Sequence, residues 1–436
     1  MSNPFFYGNP IPPDQFLDRQ RELNRAVARI VNRGQSTAIV GEPRSGKTSL
    51  LEYLSASEKQ AELFENVGVR LVFSYLDAET FTGEFSQAQF WEHALFPLCE
   101  AITTFSPELS LAKAYEVCQE NGFGAFVLER LFAQMVLTGW RLVLRLDEFD
   151  SLLYHPVLNC AEFFGSLRSL ASRSRGALAL VIASRRALTD LNKDTQRFSR
   201  TSSPYFNIFS EVVLRPLPNK YIAELLRRGE GRFTANDRRF IVRVAGGHPY
   251  LLQVGASALW EAYAEGQVNR ERRWQQVGQD LYGEVALTLE NTWGIWPPAM
   301  RKAFTSVAMV DIPKMLGQHE FYVLPLLRDL CDFGPELRSL EKQGFVEEDE
   351  SAPGGWRVRP QAFLWWLADE IVRTARDDDS FEDWLRKQEL GFLLTRAEKE
   401  MLSESVRAVL GLLKKGAETL IEATVKGFVA GTVNAV

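Results

Sequence analysis

The sequence predicts an α/β fold in which a parallel five-stranded sheet carries helices on both faces and is followed by smaller helical parts. The prediction rests on how the first half of the chain is patterned. Segments of helical length and periodicity alternate there with short apolar runs rich in β-branched residues, which is typical of a parallel sheet buried on both faces. Five such runs occur, at 36–40, 69–77, 141–150, 177–185 and 210–217.

Composition narrows the class of protein. Of the 436 residues, 46% are hydrophobic and 24% are charged, as in ordinary globular proteins. A formal net charge of −6 argues against affinity of the whole chain for nucleic acid. The first residues lack a basic and an apolar region, and no run of about 18 apolar residues occurs, so we expect neither a signal peptide nor a transmembrane helix. Four scattered cysteines suit a reducing compartment, and we predict a cytoplasmic protein.

Changes in pattern divide the chain into four predicted domains. After the sheet domain comes an all-helical lid. The third part has the order helix, strand, turn, strand, helix, which suits a winged helix-turn-helix with its wing tip at Ser351–Gly355. An acidic break then precedes a helical tail. The predicted boundaries are 1–218 for the sheet domain, 219–290 for the lid, 291–378 for the winged helix and 379–436 for the tail.

The first run leads into a glycine-rich loop. Gly41–Thr48 reads GEPRSGKT and matches the pattern G-x-x-x-x-G-K-[ST]. Its glycines let successive backbone N–H groups turn toward one anion, at the positive end of the following helix. Lys47 is predicted to reach the β- and γ-phosphates of ATP, and the Thr48 hydroxyl to hold Mg²⁺. The residues predicted to bind ATP or ADP here are Gly41, Pro43, Arg44, Ser45, Gly46, Lys47, Thr48 and Ser49.

The third run ends in two carboxylates. Asp147 is predicted to hold the water shell of Mg²⁺, and Glu148 to polarise the attacking water as the catalytic base. An ordinary strand that leaves the sheet through an acidic turn is the other interpretation. Arg145 is unusual inside such a strand, and we expect it at a sheet edge or beside a carboxylate, because an unpaired buried charge is costly.

Together these residues resemble the AAA+ class of ATPases, and within it the STAND signal-transduction ATPases and their archaeal-ATPase relatives. Phe16–Leu23, FLDRQREL, looks like the family's F-x-G-R-x-x-E-L box beside the adenine, with Asp18 at the glycine position. Ser203–Asn207 before the fifth strand is typical of the same relatives. Gly246–Gln253, GGHPYLLQ, resembles the lid motif whose proline, here Pro249, packs near the base; a plain helix stop and start is the alternative.

The resemblance also implies catalytic roles for residues outside the loop. Ser184 and Arg185 occupy the sensor-1 position, where a polar side chain reads the γ-phosphate, although a surface exit from a strand would look the same. Arg197 and Arg200 lie where AAA+ relatives place an arginine finger, which reaches the γ-phosphate of a neighbouring subunit. Of the two, Arg200 is the predicted catalytic residue, and a solvated basic face is the alternative for both.

The winged helix invites a DNA-binding interpretation, which its charge opposes. Residues 291–378 carry 10 Lys and Arg against 14 Asp and Glu. Phosphate contacts supply most non-specific affinity for DNA, so an acidic module is at a disadvantage. In STAND relatives the same fold often packs on the ATPase as a latch, and we favour a latch or protein-docking role.

The tail carries one apolar stripe with helical spacing. Its residues are Leu402, Val406, Val409, Leu410, Leu413, Ala417, Leu420, Ile421, Thr424 and Phe428. Three interpretations stay open: a helix docked on its own protein, self-association, and insertion at a membrane surface. Residues 381–436 balance at 8 basic and 8 acidic, whereas membrane-surface helices usually have a basic polar face, so pairing is favoured over lipid.

The sequence therefore predicts a slowly hydrolysing ATP-dependent molecular switch that uses Mg²⁺. Nucleotide state would control assembly or partner binding, with a second copy of the chain or another protein held through the tail. Two alternatives are an initiator-like DNA-binding AAA+ ATPase and a membrane-directed immune-type STAND effector.

Overall fold

The computed structural model describes most of the chain and divides it into two compact units. One unit contains Pro10–Glu42 and Gly46–Leu214, and the other contains Met1–Asn9, Pro43–Ser45 and Arg215–Val436. The described residues are 2–65, 67–105, 109–198, 204–315, 332–374, 378–388, 395–396, 400, 411 and 416–433.

The unit that contains Pro10–Glu42 is built on a five-stranded parallel sheet in the order β2-β3-β4-β1-β5. Each strand falls on one of the five apolar runs, which confirms the predicted fold class. Strands β1, β3 and β4 are buried along their whole length, and this is why apolar residues predominate in their sequences. The strands are β1 Thr37–Val40, β2 Arg70–Asp77, β3 Trp140–Asp147, β4 Leu178–Ser184 and β5 Ser210–Val213.

Helices cover both faces of this sheet. On β3, Leu142 and Leu144 belong to one hydrophobic cluster with residues of α4–α7, whereas Val143 belongs to a second cluster with residues of α1 and α2. Alternate residues of one strand thus enter two different cores, as the pleat requires. The helices are α1 Gln20–Arg33, α2 Lys47–Ser55, α3 Ser57–Leu63, α4 Gln87–Phe105, α5 Leu109–Glu120, α6 Ala125–Thr138, α7 Ala161–Arg173 and α8 Leu188–Thr195.

Arg145 corrects one expectation. It lies on β3, an interior strand, and it is buried rather than placed at an edge or on a carboxylate. Its guanidinium donates hydrogen bonds to the backbone oxygens of Leu51 at 2.9 Å and Ser74 at 3.3 Å, and it lies 5.3 Å from the centre of the Tyr75 ring. Burial lowers the pKa of Arg145 to about 10. Carbonyl oxygens and an aromatic face thus surround the cation, which has no ion pair with any described residue.

In its described residues, the other unit consists of helices and one small hairpin. Strands β6 (Val346–Glu348) and β7 (Trp356–Val358) pair antiparallel, and the predicted wing tip Ser351–Gly355 connects them. Helices precede and follow the hairpin, which confirms the winged-helix part of the predicted fold. The helices of this unit are α9 Asn219–Arg227, α10 Ala235–Ala245, α11 Pro249–Ala264, α12 Arg270–Ile295, α13 Pro298–Met315, α14 Gly334–Gln343, α15 Gln361–Thr374, α16 Asp378–Lys387 and α17 Ala417–Val433.

The end of the tail packs inside its own unit. In α17, Ala417, Leu420, Ile421 and Thr424 are buried. The Phe428 ring lies against Trp274 and Phe240, and the Thr424 hydroxyl accepts a hydrogen bond from the Trp365 indole.

Over that half of the stripe, this docking agrees with the first of the three interpretations, a helix docked on its own protein, because the apolar residues already have partners. The stripe residues Leu402, Val406, Val409, Leu410 and Leu413 lie outside the described residues. The predicted boundary at residue 290 falls within α12, and the four-part division stays a prediction. None of the helices in the described ranges has both the length and the apolar character needed to span a bilayer.

Candidate functional site

The loop Gly41–Thr48 connects the end of β1 to the start of α2, as the motif requires. The Gly41 N–H donates to the Ser184 oxygen on the neighbouring strand at 3.2 Å. Gly46 precedes α2 with φ of 95°, a left-handed conformation that side-chain-bearing residues rarely adopt. A Cβ at Gly46 would meet no atom within 4 Å, so the backbone angle alone requires this glycine.

Lys47 lies at the centre of the site. Its side chain is buried, and Nζ donates to the backbone oxygens of Gly41 at 3.0 Å and Glu42 at 3.1 Å. An ammonium has three N–H donors, so one remains for a ligand. Burial lowers the pKa of Lys47, and the carboxylates around it oppose this shift. Those carboxylates, in decreasing order of effect, belong to Glu148, Glu42, Asp147 and Asp150.

The carboxylates at the end of β3 are held in place. Asp147 is buried; one oxygen accepts from the Tyr75 hydroxyl at 3.2 Å and the other from the Glu148 N–H at 2.9 Å. Glu148 has φ of 46°, a conformation that costs free energy in a residue with a side chain and that concentrates at functional sites. Burial raises the pKa of the Glu148 carboxyl, and Lys47 and Arg185 act against this rise.

Arg185 joins three carboxylates. Its Nε lies 3.1 Å from Asp150 and 3.3 Å from Glu148, and its Nη2 lies 3.4 Å from Glu79. The predicted partner of the γ-phosphate is thus paired with the predicted base. The Ser184 hydroxyl, in contrast, is engaged locally: it donates to the Arg186 oxygen at 2.9 Å and accepts from the Arg186 N–H at 3.0 Å.

Three groups at this site escaped the sequence prediction: Tyr75, Glu79 and Asp150. Tyr75 and Glu79 come from β2 and the turn after it, and β2 is next to β3 although about 65 residues separate them in sequence. Asp150 follows the predicted pair by two residues, so the run Asp147–Asp150 was its only signal.

Glu42 is a fourth unpredicted group. Its carboxyl is buried, and Oε2 has no hydrogen-bond partner in the described part of the chain. Burial raises the pKa of Glu42 to about 8, although Lys47 acts in the opposite direction. Without nucleotide, the protein therefore keeps the Glu42 carboxyl protonated at neutral pH. This carboxyl lies inside the loop that is predicted to hold phosphate.

The remaining loop residues have varied surroundings. The Ser49 hydroxyl accepts a hydrogen bond from the Ile11 N–H at 3.0 Å, and Thr48 is half-buried at the start of α2. Pro43, Arg44 and Ser45 are grouped with the helical unit.

Arg44 makes two contacts within that unit. It donates to the Gly8 oxygen at 3.1 Å, and its guanidinium lies 5.0 Å from the centre of the Tyr250 ring on α11.

The remaining predicted positions are Pro249, two arginines and Asp18. Pro249 is the first residue of α11, and α10 ends at Ala245, so the Gly-Gly-His-Pro run does form a helix stop and start. Arg197 lies 4.8 Å from the centre of the Phe198 ring, and Arg200 falls outside the described residues. Asp18 replaces the glycine of the upstream box while keeping a left-handed φ of 64°, which Asp tolerates better than most residues.

A comparison of the sequence with family models decides the family. A family described as an AAA-like domain matches residues 10–272, more than half of the chain. The chain belongs to this AAA-like family. It is accordingly a P-loop ATPase of AAA+ type, which agrees with the resemblance carried by the loop and by Asp147–Glu148. No curated protein matches the AAA-like chain.

Several solved structures are similar to this AAA-like protein. A Walker-type ATPase of Pyrococcus abyssi is 16% identical with a TM-score of 0.45, and covers 81% of this chain and 96% of its own. The ORC2 protein of Aeropyrum pernix, in ADPNP–ADP complexes, is 14% identical with a TM-score of 0.47. The match covers 82% of this chain and 95% of the ORC2 chain. A STAND protein with a tetratricopeptide repeat sensor from Pyrococcus horikoshii is 16% identical with a TM-score of 0.34. The match covers 93% of this chain and 52% of the STAND protein. The family assignment rests on the sequence match.

Proposed function

We propose that this AAA-like protein is a cytoplasmic ATP-dependent switch that binds ATP with Mg²⁺ in the loop Gly41–Thr48 and hydrolyses it slowly. One observation carries the proposal: the buried Lys47 ammonium lies between the loop carbonyls and the carboxylates at the end of β3. A buried cation at a helix N-terminus suits a phosphate chain. The Asp147 carboxylate and the Thr48 hydroxyl are the hard oxygen donors that Mg²⁺ prefers.

Each of these residues would have a separate role in ATP hydrolysis. Mg²⁺, when bound with the nucleotide, neutralises charge on the phosphates. Lys47 would hold the β- and γ-phosphates, and Tyr75 keeps the Asp147 carboxylate oriented. Glu148 would accept a proton from the attacking water. A carboxyl with a raised pKa is a better proton acceptor than an ordinary one, as long as it is ionised at the working pH.

Slow hydrolysis follows from the contact between Glu148 and Arg185. At 3.3 Å the guanidinium stabilises the ionised carboxylate and lowers its tendency to take up a proton. Arg185 must move toward the γ-phosphate, or at least away from Glu148, before the base acts at full strength. Turnover well below about 1 s⁻¹, the low end of typical enzymes, is expected.

Arg44 supports the switch. As a loop residue that also contacts Gly8 and Tyr250, it would change its position when phosphates fill the loop. A change in Arg44 would then alter the contact with α11. Nucleotide state would in this way reach the helical unit and the partner that it binds, a second copy of the chain or another protein.

The DNA-binding alternative receives little support from the wing. Arg357 on β7 lies 2.5 Å from Asp349 and 3.7 Å from Glu347, and Arg359 lies 3.1 Å from Glu347. The two arginines of the hairpin are thus largely neutralised by its own carboxylates. A latch or protein-docking role for the winged helix agrees better with this charge.

Size-exclusion chromatography with light scattering tests the switch. The full chain is compared in ADP and in a non-hydrolysable ATP analogue, with phosphate release measured in parallel. We expect a different mass or elution volume in the two nucleotides. A matched pair of double variants then tests whether the apolar stripe of the tail affects the mass. Leu410→Asp with Leu413→Asp changes the stripe, and Lys414→Asp with Lys415→Asp, outside the stripe, is the control. Identical behaviour in both nucleotides, or fast hydrolysis, would contradict the switch.

A further inference from the structure

The helical unit contains a cavity of about 650 Å³ that is lined on several sides by arginine. Helices α9 and α10 form one wall, and the wing hairpin with the start of α15 forms the other. Among the described lining residues, Glu347 is the one that carries a carboxylate. The arginines are Arg227, Arg238, Arg239, Arg243, Arg357 and Arg359.

These arginines differ in how they are neutralised. Arg357 and Arg359 pair with Glu347 and Asp349 of the hairpin. None of the four arginines on α9 and α10 has a carboxylate within ion-pair distance among the described residues. The wall formed by these two helices therefore presents four uncompensated cations to the cavity, although the chain as a whole is acidic.

Two polar atoms in the lining also lack partners. The Arg238 Nε and the Gln361 Oε1 are buried and have no hydrogen-bond partner in the described part of the molecule. Burial lowers the pKa of Arg243, and the nearby charge of Arg357 lowers it further. Clustering cations costs free energy, and so does leaving the buried Arg238 Nε–H donor unsatisfied; an anion between the two walls would relieve both costs.

The shape and floor of the cavity select the kind of anion. A volume of about 650 Å³ lies within the range of small-molecule sites, which is roughly 300–1,000 Å³. Ile222, Leu226, Val242 and Val358 supply apolar surface, which an inorganic ion would not use. Among the described lining residues, the wing is represented by its strands and not by the tip residues Ser351, Ala352, Gly354 and Gly355.

We propose that this arginine pocket binds a small organic ligand with two or more phosphate groups, of the nucleotide class, at a site separate from the phosphate loop. The phosphates would lie on the α9 and α10 arginines through charge-assisted hydrogen bonds. The organic part would cover the apolar floor, and the Gln361 oxygen would accept from one of its N–H or O–H groups. Because the pocket joins the lid helices to the wing, its occupant would act on the part of the chain that is expected to respond to ATP.

Calorimetry with adenosine 3′,5′-bisphosphate and with tripolyphosphate tests the pocket, using full-length Lys47→Ala protein so that the phosphate loop does not contribute. In this background we compare Arg239→Glu with Arg272→Glu. Both arginines are exposed and helical, but only Arg239 lines the pocket. We expect the bisphosphate to bind more tightly than tripolyphosphate, and Arg239→Glu to weaken it at least tenfold while Arg272→Glu has little effect.

The remaining outcomes are informative as well. No binding of the bisphosphate, or equal weakening by both substitutions, would overturn the proposal. Binding of a 20-nucleotide single strand that requires Arg239, without binding of the bisphosphate, would also overturn it in favour of a polynucleotide surface. Phosphate release from ATP separates this test from the proposed function: loss of phosphate release with Lys47→Ala and its retention with Arg239→Glu would show two independent sites.

Discussion

The phosphate loop and the arginine pocket are both suited to phosphate, yet they are built in opposite ways. The loop consists of eight consecutive residues, so its pattern is visible in the sequence. The pocket takes residues from α9, α10, the hairpin and α15, which are up to 142 positions apart. The net charge of a sequence segment is therefore a poor guide to a site that is assembled from several segments. Residues 291–378 are acidic overall but contribute two arginines to a basic cavity.

Lys47→Ala should have the largest effect. It removes the buried cation at the loop, so any ATP binding that calorimetry still detects should come from the arginine pocket and should weaken at least tenfold when Arg239→Glu is added. Lys193→Ala, at an exposed lysine of the same unit, should bind as the unmodified chain does. If the chain with both Lys47→Ala and Arg239→Glu binds ATP with normal affinity, the loop is not the ATP site.

Glu148→Gln should keep binding but lose chemistry. The amide preserves size and hydrogen bonding but cannot accept the proton, and loss of a catalytic base costs ~10²–10⁴ in rate. Single-turnover phosphate release measures the rate, with the exposed Glu92→Gln as the matched control. An unchanged rate in Glu148→Gln would leave the loop as a binding site only, which would make it more like the pocket.

The pH dependence of hydrolysis sharpens the role of Arg185. Activity requires ionised Glu148, so the rate should fall as pH decreases through a pKa that burial holds above the ordinary glutamate value of 4.5. Arg185 lowers that pKa. Arg185→Ala should therefore move the acid limb of the single-turnover profile to higher pH, in addition to any loss of rate at the plateau. A limb that stays in place would show that Arg185 and Glu148 are not coupled during turnover.

Glu42 gives the smallest expected effect, on stability. The folded chain retains its proton up to about pH 8, whereas the unfolded chain releases it near 4.5. The free energy of unfolding should thus fall as pH rises through this window, because the folded state binds more protons there. Glu42→Gln cannot ionise, so its melting temperature should exceed that of the unmodified chain by a few degrees at pH 8 and by less at pH 5. Glu92→Gln should show no such trend, and equal shifts at both pH values would contradict the assignment.

The sheet was predictable because its central strands are buried on both faces. A continuous apolar run such as Leu178–Ser184 leaves few alternatives, and the loop after β1 has a pattern specific enough to name its ligand. The position of Arg145 was not predictable, since its partners are backbone oxygens that every residue possesses.

Sites built from residues of several secondary-structure elements were also not predictable from the sequence. The order of the strands in the sheet places Tyr75 beside Asp147 and Arg185 beside Asp150. This order cannot be deduced from the sequences of the individual strands. The arginine pocket could not be predicted for a similar reason. The net charge of a continuous stretch of sequence does not reveal the charge of a surface that several stretches build together. In the tail, the stripe correctly indicated an apolar face, but spacing alone could not tell that α17 would cover Trp274.

Helix α12 has a mechanical consequence for the helical unit. Its 26 residues form one rod about 39 Å long, and a uniform tilt of about 10° would move one end by about 7 Å relative to the other. Near its centre, Glu284 accepts a hydrogen bond from Tyr250 on α11, and at its far end Trp293 packs 5.5 Å from Trp366 of α15. The lid and the winged helix therefore share one lever arm instead of a hinge, and a small displacement of α11 is amplified where α12 meets α15.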